Sequence, residues 1–141
     1  GVKSHTATRL NIDNVPCDLD LINMKTIAEK VFEPLRKFVG GPISINSFYR
    51  SPKLNSAIGG STSSQHCIGC AIDIDDTYGY KTNAEMFEYI KCNLDYDQMI
   101  WEFGDDNNPD WVHVSYITED TNRRRCLKAY KENSKTKYKI I

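Results

Sequence analysis

The sequence predicts an α+β domain in which a small antiparallel sheet packs with helices. Segments that alternate apolar and polar residues, the period of a half-buried strand, are separated by helical segments of unequal length. The last two alternating segments are joined by a polar turn, which is typical of an antiparallel hairpin. A chain of 141 residues is long enough to bury one hydrophobic core.

The composition is that of a soluble globular protein, with 40% hydrophobic and 26% charged residues. No apolar run approaches the roughly 18 residues of a transmembrane helix, so we expect no membrane partner. No basic stretch followed by an apolar one, the pattern of a signal peptide, is visible. The five cysteines are an odd number without the dense spacing of a disulfide scaffold, which predicts reduced thiols made in a reducing compartment.

The first elements are a polar segment and a long helix. Residues 1–17 are polar, and we expect them to be irregular. Apolar residues then recur every three or four positions from Met24 to Phe38, which predicts a core-facing helix that ends at Gly40. Pro34 lies inside this helix and should kink or restart it, because proline has no backbone N–H to donate.

The middle of the chain is predicted to alternate strands and helices. Thr82 and Glu85 have the spacing of a capping box, which marks the start of a helix. The predicted elements are, in order, a strand at 43–48, a helical turn from Ser51 to Ile58, a loop at 59–64, a strand at 71–75, a helix from Thr82 to about Cys92, and a hairpin of strands at 98–103 and 111–117.

The C-terminal segment differs in charge from the rest of the chain. Residues 1–120 carry 10 basic and 18 acidic residues, whereas residues 121–141 carry 8 basic residues and 1 acidic residue. We assign 1–120 to the main domain and 121–141 to a basic segment packed on it or trailing from it. We expect a solvated helix that leans on the acidic domain, and the alternative is a binding segment for a polyanion such as an anionic cell-wall polymer.

Two histidines and a carboxylate form a candidate metal site. His66 lies in a loop before a predicted strand, Asp73 points from that strand, and His113 comes from the predicted hairpin. All three could meet over one face of the sheet. Imidazole nitrogens and carboxylate oxygens are good zinc ligands, and three protein ligands leave a fourth position open for water.

The motifs around these residues resemble the zinc D-Ala-D-Ala peptidase family, which includes vancomycin-resistance dipeptidases and L-alanyl-D-glutamate endolysins of phages. The resemblance lies in Ser64-x-His66-x-x-Gly69-x-Ala71-x-Asp73, in Asp110-x-x-His113, and upstream in Ile12-Asp13-Asn14-x-Pro16 and Ser47-Phe48-Tyr49-Arg50-Ser51. It implies a Hedgehog/DD-peptidase-like zinc fold, one zinc per chain, and hydrolysis of peptide bonds in peptidoglycan stem peptides. The small single-domain members of phages and bacteria are the most similar, which suggests an endopeptidase or carboxypeptidase of the phage-lysis type.

The resemblance also implies roles for individual residues. It makes His66, Asp73 and His113 the zinc ligands. It makes Asp110 the catalytic general base, because a carboxylate three residues before the last ligand holds that role in the family. Chemistry agrees, since a carboxylate near zinc-bound water can take its proton and pass it to the leaving amine. Glu102 is the alternative base, and the alternative for Asp110 is a turn cap.

Four further residues are expected at the site. Arg50 matches the family arginine that faces the substrate, where it could hold a terminal carboxylate or stabilise a developing oxyanion. Its alternative role is a salt bridge with the acidic strand at 71–75. Ser64 and Gln65 are expected to shape the site through hydrogen bonds, and Trp111 to pack beside it, so that these residues with Arg50 form the predicted substrate-binding set.

Cys67 and Cys70 lie inside the metal motif, where a thiolate could bind zinc or a C-x-x-C pair could form a redox couple. A redox motif should open a helix, whereas this one runs into a strand, so we expect Cys70 to be a small buried residue. The alternative to a peptidase is a non-catalytic, zinc-stabilised module that binds the cell wall or a protein. We expect a peptidoglycan peptide as substrate, no nucleic acid partner and a monomer. We also expect synthesis in a reducing cytoplasm, that of the host cell if a phage encodes the chain, and action on the cell wall.

Overall fold

The computed structural model describes residues 4–141, so residues 1–3 of the predicted main domain lie outside it. The α-helices are α1 (His5–Leu10), α2 (Asp18–Ile27), α3 (Glu33–Val39), α4 (Pro52–Ala57) and α5 (Asn83–Asn93). The strands are β1 (Ser44–Ser47), β2 (Ala71–Asp75), β3 (Gln98–Glu102), β4 (Trp111–Ser115), β5 (Arg125–Glu132) and β6 (Lys135–Ile140). None of the helices in the described part of the chain is long and apolar enough to cross a membrane.

The predicted α+β class is confirmed. The strands form one six-stranded sheet in the order β1-β2-β4-β3-β5-β6. Every neighbouring pair is antiparallel except β3 and β5, which run parallel. The predicted hairpin of β3 and β4 and the predicted capping box of α5, in which Thr82 and Glu85 each bond the other's backbone, are both present.

The N-terminal helices differ from the prediction in two places. The segment expected to be irregular contains α1, whose first turn is capped by the Ser4 hydroxyl. The long helix is continuous but holds a π-helical turn at Ala28–Phe32 between α2 and α3. There the Glu33 N–H bonds the Ala28 carbonyl five residues back, directly before Pro34, which cannot donate a backbone bond.

One face of the sheet forms the hydrophobic core with the helices. Side chains alternate along each strand, so the residues at even positions of β2 and β4 point to this face. The core contains side chains with almost no exposure from both layers, including Ile27, Val31 and Leu35 from the long helix, Phe87 and Ile90 from α5, and Ile72, Ile74, Met99, Val112 and Val114 from the strands. Each such side chain contributes roughly 2 kcal/mol by leaving water.

The other face of the sheet carries the polar residues of the predicted site in rows that run across the strands. One row is Asp73, His113, Ile100, Leu127 and Ile140, in register from β2 to β6. A second row lies on one side of the first and contains Trp111, Glu102, Ala129 and Tyr138. A third row lies on the opposite side of the first and contains Ser115, Gln98 and Arg125. Because strands lie about 4.8 Å apart, this register determines which side chains can meet.

The C-terminal segment is a β-hairpin, so the predicted C-terminal helix is wrong. Lys135, Lys137 and Lys139 alternate with less polar residues, which is the two-residue period of a strand. Asn133 and Ser134 connect β5 to β6, and both have positive φ values of 52° and 65°, as a two-residue type I′ hairpin turn requires. The basic residues therefore extend the sheet.

Candidate metal centre

The three predicted metal ligands meet on the open face of the sheet. Asp73 and His113 are direct neighbours because β2 pairs with β4 at this position. Asp73 Oδ1 lies 3.2 Å from His66 Nε2 and 3.0 Å from His113 Nδ1. One potential ligand atom from each residue lies within 4.8 Å of the other two, so the group could hold a metal ion.

His66 is positioned by a short 3-10 turn, Gln65–Ile68, that the sequence analysis did not anticipate. Its backbone N–H donates to the Ser64 hydroxyl at 3.3 Å, which caps the turn. Its Nδ1 lies 2.8 Å from the Phe48 carbonyl, and because a carbonyl only accepts, Nδ1 carries the proton. The Nε2 lone pair is therefore left to face Asp73 and His113, as a metal ligand requires.

Asp73 is the shared partner of the two histidines. Burial alone would raise the pKa of its carboxyl group, but the imidazole rings of His113 and His66, in close contact with the carboxylate, outweigh burial and hold the pKa well below its ordinary value. Its side chain is only 14% exposed. The carboxylate is thus ionised at neutral pH, and two imidazole nitrogens and one carboxylate oxygen form a donor set that fits zinc.

Arg50 is held beside Asp73 by several contacts. Its Nη2 lies 4.0 Å from Asp73 Oδ2 and donates to the Ser47 hydroxyl at 3.1 Å, and its Nη1 donates to the Asn55 side-chain oxygen at 3.1 Å. A Cβ at Gly60 would collide with the Asn55 amide, so glycine is needed there to keep this support in place. The guanidinium is therefore oriented in advance, near the metal ligands.

The two candidate bases occupy different surroundings. Glu102 is buried on the open face, in register with Trp111 and diagonal to His113. Burial, reinforced by the negative charge of Asp73, raises the pKa of Glu102 to about 8. Asp110 is exposed and lies one residue before β4, outside the strand.

A cavity of about 990 Å³ covers the metal ligands and continues across the sheet. Its lining includes all three ligands, Arg50, Ser64, Gln65, Trp111 and Glu102, but not Asp110. The lining also includes five residues of the C-terminal segment, namely Arg123, Arg125, Leu127, Thr136 and Tyr138. The sequence analysis missed these five because it treated the segment as a helix, although the period of two along β6 could have revealed its strand.

Gln65 joins a network that the sequence analysis also missed. Its side-chain amide donates to Asp97 Oδ2 at 2.7 Å, and Asp97 accepts two further bonds from the Arg123 guanidinium at 3.0 and 2.7 Å. Burial opposes ionisation of Asp97, but these bonds lower its pKa to about 2. The network connects the turn that carries His66 to the residue that leads into β5.

The cysteines of the metal motif are free thiols. Cys70 is buried, as expected, and burial with the nearby charges of Asp20 and Asp97 raises the pKa of its thiol to about 11. Burial also raises the pKa of Cys67. Neither cysteine belongs to the group of potential metal ligands formed by His66, Asp73 and His113.

A comparison with known families yields a match that covers most of the chain. Residues 3–115 match the family model described as peptidase M15. The match includes β1 to β4 and all three candidate metal ligands, and it ends before β5 and β6. A comparison with curated protein sequences finds no match.

Proposed function

We propose that this chain, which belongs to the peptidase M15 family, is a zinc-dependent hydrolase that cleaves peptide bonds in the stem peptides of peptidoglycan. The observation that carries the proposal is the convergence of two imidazole nitrogens and a carboxylate on one point of an open cavity, beside a buried glutamate and an arginine. Its site of action would be the cell wall, where this substrate occurs.

His66, Asp73 and His113 would hold the zinc ion. Bound zinc would supply Lewis acidity, which activates water and polarises the carbonyl of the scissile bond. The Phe48 carbonyl supports this role, since it keeps the His66 ring in the tautomer whose Nε2 is free to bind. The antiparallel pairing of β2 and β4 supports it as well, since it keeps Asp73 and His113 side by side.

We assign the general base to Glu102 rather than to Asp110, which reverses the ranking predicted from the sequence. Glu102 lines the cavity and is buried, whereas Asp110 is exposed and outside the lining. The carboxylate of Glu102 would accept a proton from the attacking water and return it to the amine that leaves. The raised pKa of Glu102 suits a group that must both accept and release a proton near neutral pH.

Arg50 would stabilise negative charge on the substrate. It lies close to Asp73, and therefore close to the reacting carbonyl, and its contacts with Ser47 and Asn55 keep it in place. A charged donor fixed before the reaction can stabilise a developing oxyanion without reorganisation. We favour an endopeptidase of the phage-lysis type over a carboxypeptidase, because the cavity extends beyond the candidate ligands and leaves room for a longer peptide.

The test is digestion of purified peptidoglycan with the zinc-loaded protein, followed by mass spectrometry of the released muropeptides. We expect new peptide termini that disappear when the metal is chelated and return when zinc is added. Release of terminal D-alanine alone, without solubilised wall material, would contradict the endopeptidase. Zinc binding and peptidoglycan binding without any product would favour the non-catalytic module instead.

A further inference from the structure

The cavity extends across the sheet beyond the three candidate metal ligands. The C-terminal segment contributes five of its lining residues, four of them from the β5–β6 hairpin, although this segment lies outside the part of the chain that matches the family. A segment that forms one wall of the substrate cavity suggests a role in substrate selection. The side chains on that wall show which chemical group it could bind.

Three consecutive arginines lead into β5, and they differ in their partners. Arg123 forms a bidentate pair with Asp97, and Arg124 pairs with Asp95 at 3.0 Å. Arg125 instead bonds the side-chain oxygen of Gln98, which is uncharged, and it makes no ion pair within residues 4–141. Of these three, Arg125 therefore presents a positive charge without a carboxylate partner, and it does so in the cavity.

Arg125 is also held in a defined orientation. Both Nε and Nη2 donate to the Gln98 oxygen, and Gln98 lies directly opposite Arg125 in the β3–β5 pairing. The guanidinium has further N–H groups that this contact does not use. A carboxylate is the anion whose geometry matches such a fork of donors.

The register gives the separation of Arg125 from the metal centre. Leu127 lies two strands from His113 in the same row, and Arg125 is two residues farther along β5. With strands about 4.8 Å apart and residues about 3.4 Å apart along a strand, the backbone positions of His113 and Arg125 are about 12 Å apart. An extended peptide covers that distance with three to four residues.

The surface between them is mostly apolar. Ile100 and Leu127 lie in the row that leads away from His113, and Gln98 next to them bonds Arg125. Ile100 is buried and Leu127 is half-buried. Small apolar residues of a peptide could cover this strip and bring a more distant carboxylate to Arg125.

We infer that Arg125 forms a carboxylate-binding subsite for a peptide that has a free carboxylate three to four residues from the bond to be cleaved, with small apolar residues between them. The inference rests on the proposed function, because it assumes that the substrate extends from the metal centre across β3 and β5. It makes Arg125 a residue that determines specificity rather than one that takes part in the reaction.

The test uses two synthetic peptides that share one cleavable bond and differ in a single group, a free carboxylate or its amide, placed three to four residues away. For Arg125→Gln we expect KM to rise roughly 10- to 100-fold with the carboxylate peptide and to change little with the amide, at unchanged kcat. Arg125→Lys should restore part of the affinity. Arg124→Gln is the matched control, because its arginine already pairs with Asp95, and it should behave as wild type with both peptides.

Equal effects of Arg125→Gln on both peptides, in a variant whose melting temperature matches wild type, would overturn the subsite. Calorimetry of the same peptides with the zinc-free protein separates this result from a failure of the proposed function. If the wild type cleaves neither peptide, the proposed function fails, and the subsite is judged from binding alone. The subsite is supported if Arg125→Gln loses affinity for the carboxylate peptide and Arg124→Gln does not. The subsite is refuted if wild type and Arg125→Gln bind that peptide equally.

Discussion

The metal centre and the C-terminal hairpin occupy the same face of one sheet but are built in opposite ways. At the metal centre His66, Asp73 and His113 are largely buried, and each is held by a neighbour. In the hairpin, β6 is exposed along its whole length and lysines occupy every second position. Catalysis requires fixed, desolvated groups, whereas recognition of a charged polymer can use exposed ones. The two regions should therefore respond differently to mutation.

The largest effect is expected from the ligands themselves. His66→Ala and His113→Ala should each abolish zinc binding and activity, because a two-ligand site cannot hold the ion firmly. Metal analysis of the purified proteins, expected at one zinc per wild-type chain, measures this. His5→Ala is the control, since this histidine lies exposed in α1. Full zinc occupancy in both variants would show that His66 and His113 are not the zinc ligands.

The next largest effect should distinguish the two carboxylates. Glu102→Gln should keep zinc and fold but lose on the order of 10²-fold or more in turnover, as expected when general acid–base assistance is lost. Asp110→Asn should retain most of its turnover, because the Asp110 side chain is outside the cavity. Single-turnover kinetics with both variants measures the difference. The opposite ranking would restore Asp110 as the base.

A smaller effect is expected from Arg50. If Arg50 serves the oxyanion, Arg50→Ala should reduce kcat on the order of 10²-fold, and equally for peptides that end in free D-Ala-D-Ala and for their amidated forms. If it instead held a terminal carboxylate, only the free peptides would suffer. Parallel kinetics on the two peptide sets, with intact peptidoglycan as a third substrate, distinguishes these roles.

The contrast between the regions also explains what the sequence could predict. The α+β class, the capping box at Thr82 and the β3–β4 hairpin were readable because each follows from local periodicity. The convergence of Asp73 and His113 follows from two strands that pair in register. For the base, motif spacing favours Asp110, whereas the face of the sheet that carries Asp73 and His113 holds Glu102. The spacing of residues along the chain does not determine the face of the sheet on which each side chain lies.

Two other features were not predicted from local sequence patterns. The hairpin was missed because the C-terminal segment, with its eight basic residues, was interpreted from its charge rather than from its alternation. Asp97 was missed because its partners, Gln65 and Arg123, lie 32 and 26 residues away along the chain. A carboxylate acquires this kind of role only when the fold buries it beside both partners.

Asp97 is also where the two regions are connected, and the smallest predicted effect tests that connection. Its bonds reach the metal-ligand turn through Gln65 and the start of the hairpin through Arg123. Its pKa of about 2 in the folded protein lies below the value in an unfolded chain. Folding therefore gains stability from Asp97 above about pH 4, and this gain is lost as the pH falls through about 2.

Asp97→Asn should lower the free energy of unfolding by on the order of 2 kcal/mol at neutral pH and flatten its dependence on pH between about 4 and 2. Asp95→Asn is the matched control, because Asp95 pairs with the exposed Arg124 and solvent screens that pair. Urea denaturation across this pH range measures both variants, and hydrogen exchange shows where the structure loosens. If Asp97 joins the regions, amides of β5 should exchange faster only in Asp97→Asn, whereas equal behaviour of the two variants would mean that the hairpin is held by its strand pairing with β3 alone.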